Sequence, residues 1–213
     1  MPVTIAEFVV GDPPAAWEAA GFAVDDDVCR IGSVAVRLVG REQGSGIHGW
    51  SLRDVAPGVL DGDLDGLPTT TTDEPSAVGA AHPNGATHID HVVLMSAHIA
   101  RTVAAFEAIG VAPRRVRDFE VGGTAMQQVF FRLGEVIVEL VGAPGATDDG
   151  PTHFWGLTHV VPDVDAAAVL LGPHAGRVKD AVQPGRRIVT LRHTDLGMSV
   201  ATALISPAPR RGA

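Results

Sequence analysis

The chain reads as an α+β protein built from repeated βαβββ modules, two of them paired and a degenerate one before them. Three observations predict this. First, the stretch "RIGSVAVRLVG" from Arg30 and the stretch "RLGEVIVELVG" from Arg132 share seven of eleven positions. Second, each stretch follows an apolar strand and then a helix. Third, the same order of elements returns a third time after residue 153.

The elements follow in order. "TIAEFVVGD" is an apolar strand, and "PPAAWEAAG" is a helix with proline at its start and glycine at its stop. Only "AVDDD" separates that helix from the later strands, so this copy is shortened. "GIHGWSLRDV" alternates as a strand does, and residues 56–86, rich in Pro, Gly, Thr and Asp, read as loop or linker. "HIDHVVLMS" opens the second copy; in "ARTVAAFEAIG", Val103, Phe106 and Ile109 lie on one helical face. The third copy runs from the strand "FWGLTHVVP" through the helix "DVDAAAVLLG" to "GRVKDAV", "RRIVTLRH" and "MSVATALIS", which are β-rich. The expected organisation is a degenerate N-terminal module (1–75), a linker (76–86), a paired domain (87–207) and a tail (208–213).

Composition narrows the partners. With 25 acidic and 16 basic residues the formal charge is −9, which argues against nucleic acid or an anionic membrane surface. No apolar run reaches the length of a membrane span, and "MPVTIAEFVV" lacks the basic start of a signal peptide. A cytoplasmic location is expected, and a homodimer stays open. Cys29 is the only cysteine, so it forms no intrachain disulfide and reads as a small buried hydrophobe. Neither a phosphate loop nor a Gly-x-Ser-x-Gly elbow is present.

Paired βαβββ modules, one opening with "IDHVVL", resemble the vicinal oxygen chelate superfamily, which contains glyoxalase I, extradiol dioxygenases and bleomycin-resistance proteins. The resemblance covers residues 87–207 well and 3–56 loosely. It implies a glyoxalase/bleomycin-resistance/dioxygenase type of fold, with one cleft between two modules. In metal-dependent members each module supplies two ligands, one from its first strand and one from its last. On this sequence the second copy's positions fall on His91, seven residues before the turn at His98, and on Glu139 in "VIVELVG". Both residue types suit a divalent metal. In the third copy the same register gives Gly156, with Ala201 or Thr202 in the last strand, and turns His159 toward the helix layer. In the first copy it gives Ile5 and Arg37.

Two ligands out of four imply an incomplete metal set. The leading expectation is therefore a small organic molecule bound between the modules, with no cofactor and no stoichiometric transition metal. The alternative is a metal-dependent lyase, isomerase or dioxygenase using a divalent metal on His91 and Glu139. Glu139, a carboxylate inside an apolar strand, is expected to face the cleft, because burying an unpaired charge is costly; there it is a candidate general base. His91, Gln128 and Trp155 are the candidate ligand-binding residues. Period-two alternation predicts opposite faces for His88 and His91, and for Gln127 and Gln128. Arg186, Arg187, Arg192 and His193 can bind an anion or form the wet face of a hairpin; Arg114, Arg115 and Arg117 read the same way.

Overall fold

A computed structural model of the chain describes residues 1–209. Residues 210–213, the end of the expected tail, lie outside the described residues. The strands are β1 (Thr4–Val10), β2 (Val28–Ile31), β3 (Val34–Leu38), β4 (Ile47–Arg53), β5 (Asp63–Leu64) and β6 (Leu67–Thr71). After them come β7 (His88–Met95), β8 (Arg115–Val121), β9 (Thr124–Leu133), β10 (Val136–Gly142), β11 (His153–Val160), β12 (Lys179–Asp180), β13 (Arg187–Thr190) and β14 (Ala201–Ile205). Helices α1 (Pro14–Ala19), α2 (Ile99–Ala108) and α3 (Val164–Leu171) follow β1, β7 and β11. Among the described residues no helix is long and apolar enough to cross a membrane.

Two sheets form, with orders β2-β3-β1-β4-β6-β5 and β12-β13-β14-β11-β7-β10-β9-β8. In the eight-stranded sheet the first strands of the second and third copies, β7 and β11, pair antiparallel at the centre. Each is flanked by the parallel last strand of its own copy, β10 or β14. The six-stranded sheet repeats this plan. Here β1 and β4 pair antiparallel at the centre, with β3 parallel to β1 and β6 parallel to β4.

The N-terminal part therefore holds two degenerate copies, not one. β4 opens a fourth copy whose helix is missing, and β5 and β6 lie inside the stretch expected to be loop. Their hairpin turns on Asp65 and Gly66, with φ of 55° and 90°. That is the Asp-Gly pair a tight two-residue turn favours.

The sheets share one apolar core. Phe8 of β1 and Trp50 of β4 meet Phe154 of β11 at 6.1 and 5.2 Å between ring centroids. Two buried carboxylates pin the halves together. Asp12 accepts from the Ser199 amide at 2.7 Å and the Trp17 indole at 3.1 Å. Asp65 accepts from Thr152 at 2.9 Å and Thr102 at 2.5 Å, and pairs with Arg101. Cys29 is fully buried, and burial pushes its thiol up to about 12, which leaves it unreactive at neutral pH.

His159 faces away from the cleft, as expected. It is fully buried against Trp17 and Phe22, at 6.1 and 4.9 Å, and neither ring nitrogen has a partner.

Candidate functional site

The register of the eight-stranded sheet places the candidate residues in two rows across one face. One row runs Thr190, Ala203, Thr158, His91, Ile137, Arg132; the next runs Ala201, Gly156, Val93, Glu139, Phe130, Arg115. A cavity of about 280 Å³ opens on this face between the two modules. His91, Glu139, Thr158 and Thr190 line it, with Trp155 and Gly156 on the third-copy side. Gln128, beside Glu139 in the sheet, donates to Glu139 Oε1 from its amide.

The backbone aims His91 by a β-bulge. The pairing of β7 with β11 skips Asp90, so Thr158 lies opposite His91 and His159 opposite Ile89. Ile89 and Val92, three apart, are consequently both in the core, whereas a regular strand would turn them to opposite sides. This corrects the expectation for His88 and His91: the bulge puts both on the cleft face. The same bulge occurs in β1 at Ala6, and the first seven residues of β1 and β7 share one order of buried and half-buried positions. The first-copy counterpart of His91 is therefore Glu7, not Ile5.

Glu7 and Arg37 pair at 2.8 Å, so an ion pair fills the place that His91 and Glu139 hold in the second copy. The last-strand position also moves. Gly156 pairs with Ala201, as His91 pairs with Ile137, two residues before Glu139. The third-copy counterpart of Glu139 is thus Ala203, not Ala201 or Thr202.

Behind the cavity stand two residues that the sequence reading passed over or misjudged. His91 Nδ1 lies 2.8 Å from Asp90 Oδ2, and Asp90 Oδ1 accepts from Arg186 Nη2 at 2.6 Å. Arg186 also donates to the Ser206 carbonyl at 2.7 Å. It is neither a wet hairpin residue nor free for an external anion. Arg187 pairs with Asp165 at the surface, as a hairpin's wet face would. Burial by itself raises the Asp90 pKa, but hydrogen bonds and charge from His91 and Arg186 outweigh it and bring it to about 2. Because a carboxylate can only accept, Nδ1 carries a proton and Nε2 is left for the cavity. His91 Nε2 and Glu139 Oε2 stand 3.9 Å apart.

Gly156 leaves no room for a side chain. An added Cβ would stand 2.5 Å from the Ala201 carbonyl oxygen. Gly49, its counterpart in β4, has the Pro68 carbonyl oxygen in the same place, at 2.7 Å. Gly156→Ala is expected to cost about 1–3 kcal/mol, as overpacking does. Urea denaturation checks it, and an unchanged midpoint would refute the close approach.

No protein-family model matches the sequence, and neither does any curated protein. Solved structures do match its shape. A mutant of 4-hydroxymandelate synthase from Streptomyces coelicolor superposes with a TM-score of 0.66 at 15% identity, over 100% of this chain and 95% of that one. An extradiol ring-cleaving dioxygenase from B. fuscum gives 0.60 at 13% identity, over 100% and 73%. A catechol 2,3-dioxygenase gives 0.56 at 13% identity, over 99% and 94%. The chain has the vicinal oxygen chelate fold.

The positions at which the family resemblance implies metal ligands correspond to His91, Glu139, Gly156 and Ala203, of which only the first two carry donors. Asp90 is committed to Arg186 and His91. Among the described residues no group of three or more His, Cys, Asp or Glu side chains is arranged to hold a metal ion. A catalytic metal commonly takes three protein ligands and keeps one open position. The donors that this chain presents do not fit such a centre.

Proposed function

We propose that this chain binds a small organic molecule between its last two modules, and that His91 and Glu139 contact it without a metal. The observation that carries this reading is the bracing of both side chains from behind. Arg186 and Asp90 orient His91, and Gln128 holds one oxygen of Glu139. A binding surface of incidental polar residues would not need two such supports.

The chemistry follows from what the braces leave free. Nε2 of His91 and Oε2 of Glu139 are both acceptors, and at 3.9 Å they do not bond each other directly. A ligand ammonium or primary amide can bridge them, and a hydroxyl can donate to either one. A proton that either group takes from the ligand can be returned by that same group to a neighbouring ligand atom, which is acid–base chemistry of the isomerase kind. The rest of the wall is mixed, with apolar Val93, Leu157 and Ile188 beside the threonines Thr158, Thr190 and Thr202. The cavity volume falls at the small end of the roughly 300–1,000 Å³ usual for ligand pockets.

The test is a titration with small neutral alcohols and amides, in chelator, read by Trp155 fluorescence. Trp155 is 57% exposed at the cavity, whereas Trp17 and Trp50 are buried. Binding is expected to persist in chelator, to vanish when Ala203→Leu fills the cavity, and to lose its optical signal in Trp155→Phe. Glu139→Gln is expected to weaken a hydrogen-bond donor about tenfold, the value of one charged hydrogen bond. Binding that ignores Ala203→Leu would sink the cavity reading. About one equivalent of transition metal in untagged protein, lost in His91→Ala and Glu139→Ala, would replace it with the metal-dependent alternative.

A further inference from the structure

The two rows that carry His91 and Glu139 continue onto a second, larger hollow. It encloses about 590 Å³ between β8–β10 and the residues 182–184 that follow β12. Four arginines line it: Arg114, Arg115, Arg117 and Arg132. Of the nine other described arginines, six (Arg30, Arg37, Arg41, Arg101, Arg186 and Arg187) are ion-paired. Among the described residues the four in the hollow have no acidic partner. In a chain with 25 acids and a net charge of −9, four neighbouring cations left without one are a notable concentration of positive charge. Clustered like charges repel, and a groove focuses their field on an incoming anion.

Resting on the proposed cavity reading, we infer that this hollow is an anion site, and that the ligand is a two-part molecule. Its hydroxyl or ammonium head sits at His91 and Glu139, and a phosphate or carboxylate at its other end meets the arginines. The register sets the spacing. Ile137 separates His91 from Arg132, and Phe130 separates Glu139 from Arg115. Two strand spacings place head and anion about 10 Å apart.

Arginine suits the task because its planar fork meets two anion oxygens at once. Phe130 supports Arg115, whose guanidinium carbon lies 5.9 Å from the ring centroid. Gln128 lies between the two parts, opposite Arg117 in the ladder. Its amide nitrogen donates to Glu139, which ties the acid at the head site to the strand pair that carries the arginines.

The experiment uses the full chain and three probes: inorganic phosphate, 6-hydroxyhexyl phosphate and 6-hydroxyhexanoate, followed by NMR at constant ionic strength. Phosphate is expected to shift arginine side-chain resonances, and the double variant Arg115→Gln/Arg117→Gln to weaken it at least tenfold. A thermal melt confirms that the variant is folded. The hydroxyhexyl phosphate is expected to bind at least tenfold tighter than either phosphate or 1-hexanol. The tighter of the phosphate and the carboxylate probe assigns the anion. Phosphate binding indifferent to the arginine variants would overturn the anion site, and would leave the cavity reading, tested with neutral probes, standing. A linked probe no tighter than free phosphate would overturn the two-part ligand. Neutral probes that fail while phosphate binds would refute the cavity reading instead.

Discussion

Replacing Arg186 by leucine is expected to destabilise the fold by about 3–5 kcal/mol, the cost of leaving a buried charge without its partner. The Arg186 and Asp90 side chains are only 7% and 10% exposed. With the guanidinium gone, Asp90 keeps His91 alone, and the Ser206 carbonyl loses its donor. The pH dependence should move with it. Asp90, held near 2 in the folded protein against an ordinary 3.8, contributes stability that is present above the higher value. That stability is lost as pH falls through the lower one. Without Arg186 the folded value rises and the contribution shrinks. Urea denaturation at neutral pH measures the loss, and the double variant Asp90→Asn/Arg186→Leu should recover more than half of it. A loss below about 1 kcal/mol, the range of exposed pairs, would show that the brace is not what holds His91. Cavity binding should weaken in the single variant too, because His91 loses its oriented neighbour.

Acid should destabilise the protein well above the carboxylate range, and His159 is the reason. Burial, reinforced by the nearby His82 and His91, lowers its pKa from 6.5 to about 3. The unfolded chain therefore takes up this proton first, and stability falls as pH drops from 6.5 toward 3. The slope is about 1.4 kcal/mol per pH unit, so going from pH 6.5 to 5 removes about 2 kcal/mol. His82, lowered in the same direction by its burial, adds to the trend. His159→Phe keeps the edge contacts with Trp17 and Phe22 while removing two buried nitrogens that have no partner. The variant should lose most of this slope and be no less stable at pH 7. Equal wild-type stability at pH 7 and pH 5 would refute the assignment.

The candidate site was partly legible, for a definable reason. His91 and Glu139 stand out because each is the wrong polarity for its strand, and a repeat lent them a register. Asp90 carries the same signal, a charge inside "HIDHVVL", but in a regular strand it would take the face opposite His91. One inserted residue reverses that argument, since a bulge shifts parity for everything beyond it. A separate offset, of two residues, made Ile5 and not Glu7 the first-copy counterpart of His91. Arg186 was beyond reach because its partner lies 96 residues away, and nothing local distinguishes it from the surface residue Arg187. β5 and β6 were missed because they are short and rich in turn-forming residues; the Asp-Gly pair at 65–66 was their one signal.

The amino-acid sequence by itself determined the module. Apolar spacing, the proline and glycine that bound the first helix, and a shared eleven-residue stretch are local features, and local features set strand, helix and order. It also determined which chemistry was on offer, two donors where a metal centre commonly has at least three. Tertiary structure alone decided how the modules pair, that β4 opens a fourth copy, and which face each strand residue takes. It also decided that Asp90 and Arg186 brace His91 while four arginines gather in one hollow without acidic partners. Such outcomes depend on cross-strand register and on charges meeting across long stretches of chain, and a single strand's periodicity contains neither.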